Sequence, residues 1–308
     1  MDGCAITCGR TVMISGAYHW GALAVQERVG VRDLAEHVGR SIGTGIGDVA
    51  AAFLGLQPHL VVGAADGAGR VWASLLTGPP GLVRATGPDR IVVASGPPEG
   101  DPLAEALATA GTRVGSIALD PRTRRRMRLN GTLAVTRRGF AVEAEQVFAN
   151  CPKYIQRRRP LELAGQGAGV VRRGDALTPG QQRTVRGADT FFIATTAEAD
   201  GVDASHRGGL PGFVEVLSPV ELAWPDYAGN AMFLTLGNLT ADPRAGLLFP
   251  DWESGAVLQL SGRARTEFGA DGSRRTRFRV ESVVEGVHPG RLLWSTPEYS
   301  PHLGRTTR

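Results

Sequence analysis

The chain has 308 residues, of which 42% are hydrophobic and 21% charged, and its formal net charge is +4 at pH 7. This composition excludes wholesale disorder, and the length suits one large domain or two of about 150 residues each. No stretch approaches the roughly 18 apolar residues of a membrane helix, and three cysteines build neither a disulfide framework nor a zinc site.

The first predicted helices lie near the N-terminus. His19 and Trp20 interrupt the apolar residues before them, so we expect no signal peptide, a cytoplasmic location and no membrane partner. Apolar residues recur with a helical period in four segments, Val31–Ile42, Asp48–Leu56, Pro102–Ala110 and Pro179–Arg186. Lys153 is the only lysine, and this arginine bias is typical of a GC-rich bacterial genome.

An internal repeat is the most informative pattern in the chain. Ala73–Val83 and Ala204–Val214 share the string A-S-x-x-x-G-x-P-G-[L/F]-V, 131 residues apart. The same offset relates Arg113-Val114-Gly115 to Arg244-Ala245-Gly246, and Leu129-Asn130-Gly131 to Leu260-Ser261-Gly262. Three matches in one register predict an internal duplication, with coincidence in a Gly- and Ala-rich chain as the alternative.

Each half is predicted to consist mainly of short strands. In the second half these are Thr190–Thr196, Phe213–Leu217, Ala231–Leu236, Arg244–Phe249, Ala256–Thr266 and Arg274–Val284. Many strands and few helices predict a mainly β fold of two tandem antiparallel Greek-key barrels, packed as a pseudo-dimer. The predicted divisions are an N-terminal segment 1–46, a first half 47–160, a linker 161–177, a second half 178–288 and a tail 289–308.

The two copies of the repeat differ where an anion could bind. Ser205, Arg207 and the pair Gly208-Gly209 offer a hydroxyl, a forked guanidinium and closely approachable backbone N–H groups. The matching residue in the first copy is Leu76, which cannot bind phosphate. We therefore predict one anion site per chain, built mainly by the second half. The alternative is that Arg207 is solvated and the glycines only turn the chain.

Several sequence motifs resemble those of one known family. Asp203–Val214 is similar to the flavin-site signature of the pyridoxamine 5'-phosphate oxidase-like, FMN-binding split-barrel family. Pro225–Leu239 and Asp242–Phe249 continue the likeness, and His19–Val31 and Asn150–Arg158 resemble phrases of its two-copy members. The resemblance covers most of the chain and implies tandem split barrels that bind FMN.

The resemblance also implies roles for individual residues. The cofactor-binding set carried over from the family is Ser205, His206, Arg207, Gly208, Asn230, Thr235 and Asn238. A tyrosine followed four residues later by an arginine holds the substrate's phosphate in the oxidases, and this implies that Tyr154 and Arg158 bind the substrate. Lys153, as the only lysine, joins them as a candidate for orienting an anionic group. His206 could transfer a proton, although a hydrogen-bonding role is favoured, and no catalytic acid or base is identified.

The departures from the family concern the substrate more than the cofactor. Leu236–Leu239 replaces a Ser-Arg-Lys cluster, and Gly212 stands where a lysine is expected. These changes argue against vitamin B6 phosphate as the substrate. The expected activity is an FMN-dependent oxidoreductase that transfers two electrons to or from a small metabolite, with an anionic one favoured. The electrons would come from the substrate, from NAD(P)H or from a separate flavin reductase.

Two other classes of function remain open. A split barrel could hold haem or a deazaflavin without turnover, or both copies could have lost their cofactor and serve as an interaction protein. Arginine clusters at Arg122–Arg128, Arg157–Arg159 and Arg274–Arg279 are expected to be solvated strand faces, so no nucleic-acid partner is predicted. Cys151 is interpreted as a small residue before a proline turn, no metal is expected, and association into a homodimer is left open.

Overall fold

The computed structural model describes residues 17–164, 171–197, 201–287 and 291–303. Five helices precede or interrupt the strands: α1 Trp20–Val29, α2 Arg32–Gly39, α3 Asp48–Gly55, α4 Pro179–Gly187 and α5 Leu234–Ala241, with a short 3₁₀ helix at Ala106–Ala108. Within the described residues, no helix is both long and apolar enough to cross a membrane.

Seven strands of the first half form one antiparallel sheet. They are β1 His59–Ala65, β2 Val71–Thr77, β3 Val83–Gly87, β4 Arg90–Val93, β5 Arg113–Asp120, β6 Arg125–Val135 and β7 Phe140–Ala149, in the order β2-β1-β5-β6-β7-β4-β3. All seven strands contribute to a single apolar core that includes Leu76 from one edge strand and Val83 from the other. The sheet therefore curls around its core as a barrel.

The second half repeats this arrangement. Its strands are β10 Thr190–Ala197, β11 Gly201–Gly208, β12 Glu215–Ser218, β13 Glu221–Pro225, β14 Arg244–Pro250, β15 Ala256–Phe268 and β16 Arg274–Val287, in the order β11-β10-β14-β15-β16-β13-β12. When the seven strands of each half are numbered in chain order, both sheets have the order 2-1-5-6-7-4-3. Two short strands lie in the segment that joins the halves. The first, β8 (Pro160–Ala164), pairs with β17 (Arg291–Trp294), which follows the second half, and the second, β9 (Arg172–Gly174), pairs with β16.

The strand registers agree at the 131-residue offset of the sequence repeat. Val61 pairs with Ile117 between β1 and β5, and Phe192 pairs with Leu248 between β10 and β14. The register shift at Asn130/Gly131 in β6 recurs at Ser261/Gly262 in β15. Matching bulges at matching positions mean that the sequence repeat corresponds to a repeated backbone geometry.

The two barrels pack through the outer faces of the same strands. Leu60 and Val62 of β1 face their own barrel core, whereas Val61 between them lies in a separate cluster with Phe192 and Leu248 of the other half. These strands are buried on both faces, which is why they read as continuous apolar runs rather than as an alternating pattern.

Glycines permit the close approach of the halves. A Cβ on Gly115 would lie 2.5 Å from the Cα of Asp203, and one on Gly246 would lie 2.5 Å from the Cα of Trp72. Gly246 and Asp203 each lie 131 residues after their counterparts, Gly115 and Trp72. Because the contacts are reciprocal, the halves are related as the subunits of a two-fold dimer are. The predicted mainly β fold of two antiparallel barrels is confirmed.

Some local predictions were wrong. Ala231–Leu236 is not a strand, since helix α5 begins at Leu234, and Pro102–Ala110 contains only the short 3₁₀ helix. Helix α1 was not predicted. The linker 161–177 stays a prediction: it contains most of β8 and all of β9, and its residues 165–170 lie outside the described residues.

Candidate functional site

A cleft between the two halves collects most of the predicted site residues. It encloses about 790 Å³ of empty space, a figure that includes open solvent. The first half lines it with Arg126, Arg128, Asn150, Lys153 and Tyr154, and the second half with Ser205, His206, Arg207, Gly208, Phe213 and most of the segment from Pro225 to Leu236.

Strands β6 and β11 form the wall where the halves meet. Arg128 on β6 and Asp203 on β11 make an ion pair in which both side chains are almost fully buried. The Asn130 side chain donates hydrogen bonds to Asp203 (3.2 Å) and Gln146 (3.1 Å). The Arg128 guanidinium also lies 4.7 Å from the centre of the Phe148 ring. This network attaches the second half's motif strand to the first half.

Positive charge exceeds negative charge in the cleft. Burial and the mutual repulsion of the guanidinium groups lower the pKa of Arg126 to about 10 and that of Arg128 well below its usual value. Burial lowers the pKa of Arg207 as well, although Asp226 opposes this shift. Bringing like charges together out of water is unfavourable, so an anion bound between them would be stabilised strongly.

The Arg207 guanidinium contacts Ser205 on its own strand and Asp226, which follows β13. Its Nη1 donates to Ser205 Oγ at 2.9 Å, and its Nη2 lies 3.8 Å from a carboxylate oxygen of Asp226. Asp226 also accepts from Arg274 Nε at 3.0 Å, and Arg274 lies over the Phe233 ring. Since Asp226 is shared between two arginines, it neutralises the cleft only in part.

His206 is buried in the wall of the cleft, with 3% of its surface exposed. Its Nδ1 lies 3.2 Å from Arg126 Nη1. Burial, together with Arg126 and Arg207, lowers the pKa of His206 well below its usual value, so the ring is neutral at pH 7.

Helix α5 brings its first turn to the cleft. Phe233, the residue before the helix, has a left-handed backbone (φ 54°), and Leu234, Thr235 and Leu236 line the cleft. The N-terminus of a helix carries partial positive charge, which adds to the field of the arginines. Asn230 lies on the loop before α5, where its Oδ1 accepts from the Met232 backbone N–H at 3.3 Å.

Two of the predicted residues lie away from the cleft. Asn238 accepts from His19 Nε2 at 2.8 Å and donates to Thr195 at 3.0 Å, so its amide joins α5 to the start of α1 and to β10. Arg158 donates to Asp189 at 2.6 Å in a buried ion pair and to the Ser295 carbonyl at 2.7 Å. Lys153 and Tyr154 do line the cleft, and the Tyr154 hydroxyl donates to the Ala228 carbonyl at 3.0 Å.

The corresponding position in the first half is closed by its own chain. Ser74 and Leu76 stand there in place of Ser205 and Arg207, and Gln259 stands in place of Arg128. Asp101 accepts from Ser74 Oγ at 2.6 Å and from Gln259 Nε2 at 3.1 Å. A carboxylate of the protein therefore lies where the second half has an open, positively charged cleft.

The expectation that the arginine clusters are solvated strand faces was wrong at Arg128 and Arg158, which are buried, and Arg126 lines the cleft. The missed signal is the spacing: residues two apart on a strand point to the same face, so Arg126 and Arg128 belong together. Residues of the first half reach the second half's motif only through the packing of the barrels, and local pattern does not reveal that packing.

Among the described residues, no cluster of metal ligands occurs.

No protein-family model matches the chain, and no curated protein matches it in sequence. Three solved structures to which it is similar are as follows. An FAD-binding protein from Mesorhizobium loti shares 13% identity at a TM-score of 0.27, covering 38% of this chain and 99% of its own. A protein related to general stress protein 26 (pyridoxinephosphate oxidase family) from Clostridium acetobutylicum shares 9% identity at a TM-score of 0.26, covering 37% and 89%. HutZ, the heme storage protein from Vibrio cholerae, shares 13% identity at a TM-score of 0.27, covering 37% and 97%. Likenesses at these values carry no argument about function.

Proposed function

We propose that the cleft binds FMN and that the protein is an FMN-dependent oxidoreductase acting on a small anionic metabolite. The observation that carries the proposal is the clustering of three mutually repelling guanidinium groups, those of Arg126, Arg128 and Arg207, in the wall of the cleft. A cluster of this kind favours a ligand with a concentrated negative charge, and the phosphate of FMN is such a group.

The hydrogen-bonding inventory of the cleft fits the same ligand. Two buried guanidinium nitrogens, Arg126 Nε and Arg128 Nε, and the buried ring nitrogen His206 Nε2 have no hydrogen-bond partner among the described residues. A buried donor without an acceptor destabilises the folded protein by about 1–3 kcal/mol, and a bound anion or carbonyl would relieve this. Asn150 Oδ1 lines the same cleft, is an acceptor that no described residue bonds, and would suit an N–H group of the ligand.

The resemblance of Asp203–Val214 to the FMN-binding split-barrel family supports FMN over other phosphate-bearing ligands. Within the cleft, Ser205, Arg207 and the α5 N-terminus would hold the cofactor from the second half, and Arg126 and Arg128 from the first. Bound FMN would supply the two-electron chemistry. Lys153 and Tyr154 would orient an anionic group of the substrate.

Reconstitution of the purified full chain with FMN tests this proposal. We expect flavin absorption bands that stay with the protein through gel filtration, at one FMN per chain. The reduced, FMN-loaded protein can then be screened for reoxidation by small anionic acceptors. Colourless protein that takes up no FMN would refute the proposal, and bound FMN that no substrate reoxidises would refute the enzymatic part of it.

Haem is the second candidate cofactor. The arginines would suit its carboxylate groups, and the cleft-wall nitrogen His206 Nε2 has no partner in the part of the chain that the structure describes. An absorption spectrum separates the two candidates, since haem gives a Soret band and FMN gives flavin bands.

A further inference from the structure

We propose that Arg126 holds His206 as its Nε2–H tautomer, so that His206 donates a hydrogen bond to the cofactor and is withheld from metal coordination. The statement about the cofactor rests on the proposed function, whereas the tautomer does not depend on it. Arg126 is thereby a positioning residue that the first half supplies to the motif of the second.

The first step is the contact between the two side chains. Arg126 Nη1 lies 3.2 Å from His206 Nδ1. A guanidinium group has five N–H donors and no acceptor. In this contact His206 Nδ1 must therefore accept, which leaves its lone pair unprotonated. A second bond from the same Nη1 to the His206 carbonyl oxygen, at 3.4 Å, holds the guanidinium in place.

The second step concerns the other ring nitrogen. Burial and two neighbouring arginines keep His206 neutral, so the ring carries one proton, and that proton is on Nε2. Nε2 is buried and has no acceptor among the described residues. The Phe192 ring lies beside it, with 5.6 Å between ring centres and 66° between the ring planes. An acceptor atom of a ligand in the cleft would satisfy the Nε2–H group.

The third step separates FMN from haem. A neutral histidine that binds a metal through Nε2 carries its proton on Nδ1 and usually donates it to a carboxylate or a carbonyl. Here Nδ1 faces a donor instead, so coordination through Nε2 would place two donors against each other. The Arg126–His206 contact thus favours a ligand with acceptor atoms and disfavours iron.

Nuclear magnetic resonance of the full chain, labelled with ¹⁵N-histidine and free of cofactor, tests the tautomer at pH 7.5. His206→Gln identifies the His206 signals by their loss. We expect a protonated Nε2 and an unprotonated Nδ1 in the wild type. Arg126→Met should shift both signals toward the average of a tautomer mixture, and Arg126→Lys, which keeps a donor, should restore the wild-type pattern in part. Arg125→Met is the matched control, because Arg125 is exposed and does not line the cleft.

A protonated Nδ1 in the wild type, or an Arg126→Met variant with unchanged signals, would overturn the tautomer assignment. FMN titration tests the second part of the proposal. His206→Leu, which lacks the donor, should bind FMN at least about tenfold more weakly than the wild type. Equal affinity would overturn that part. If no variant and no wild-type protein binds FMN, the proposed function fails, and the labelled histidine still decides the tautomer.

Discussion

Asp101 accepts a hydrogen bond from Ser74 at 2.6 Å, and Ser74 is the residue that corresponds to Ser205 of the cleft. The first half thus fills its own version of the site with a carboxylate. This contact distinguishes two halves that otherwise share strand order and register.

Replacing Asp101 should destabilise the protein without creating a second cofactor site. In Asp101→Ala, Ser74 and Gln259 lose an acceptor, so we expect the free energy of unfolding in urea to fall by about 1–3 kcal/mol. FMN titration should still give one cofactor per chain, because Leu76 replaces the arginine. Asp89→Ala, at an exposed position, is the control. A stoichiometry of two in either protein would contradict this prediction.

Arg207 and Leu76 offer a matched comparison across the repeat. Arg207→Ala removes a cation from the cleft, and we expect its dissociation constant for FMN to rise about ten- to a hundredfold. Leu76 is fully buried in the first core, so Leu76→Met, which conserves volume, should leave FMN affinity unchanged. Fluorescence titration measures both. Equal retention of FMN by the two variants would refute the assignment of a single site to the second half.

The close approach of the halves depends on Gly115. A methyl group there would meet the backbone of Asp203 at 2.5 Å, and backbone cannot move aside as a flexible side chain can. We expect Gly115→Ala to lower the free energy of unfolding by about 1–3 kcal/mol or more. In Gly187→Ala the new methyl group would meet nothing within 4 Å, so that variant is the control. Urea unfolding that is equal for the two variants would contradict the interface described above.

His59 predicts a pH dependence of stability. It is 1% exposed and lies between Trp252 and Trp294, and burial lowers its pKa to about 4. The unfolded chain binds a proton near pH 6.5, but the folded chain does so only near pH 4. Stability is therefore fully present above pH 6.5 and is lost as the pH falls from 6.5 to 4, by about 2 kcal/mol between pH 7 and 5.

The corresponding experiment is urea unfolding at pH 7 and pH 5. His59→Leu should lose about 2 kcal/mol less than the wild type over this interval, because it has no such proton to bind. His37→Gln, at an exposed position, should behave as the wild type does. If His59→Leu and the wild type lose the same stability, the neutral state of His59 is not what sets the slope.

The repeat of Ala73–Val83 in Ala204–Val214 was enough to predict the architecture, because an offset shared by three matches implies a shared register. The strand prediction at Ala231–Leu236 failed for another reason, since a short apolar run is compatible with either a strand or a helix. There the left-handed residue Phe233 starts helix α5, and no local signal in the sequence specifies that conformation.

The candidate site was predictable only in part. Ser205, His206 and Arg207 lie in the Asp203–Val214 motif, and the structure brings them into one cleft with Lys153 and Tyr154. Arg126 and Arg128 reach that cleft through the packing of two barrels, and in the sequence they lie 77 or more residues before Ser205. Arg158, which has the expected spacing, is instead held by Asp189, a partner that spacing alone does not reveal.

Because β6 and β11 jointly form the wall of the cleft, FMN uptake would, under the proposed function, report the docking of the two barrels. A chain whose barrels had each folded but had not yet docked would contain the complete Asp203–Val214 motif and would still bind no FMN. The rate at which FMN binds during refolding would then report the docking of the two barrels rather than the folding of either one.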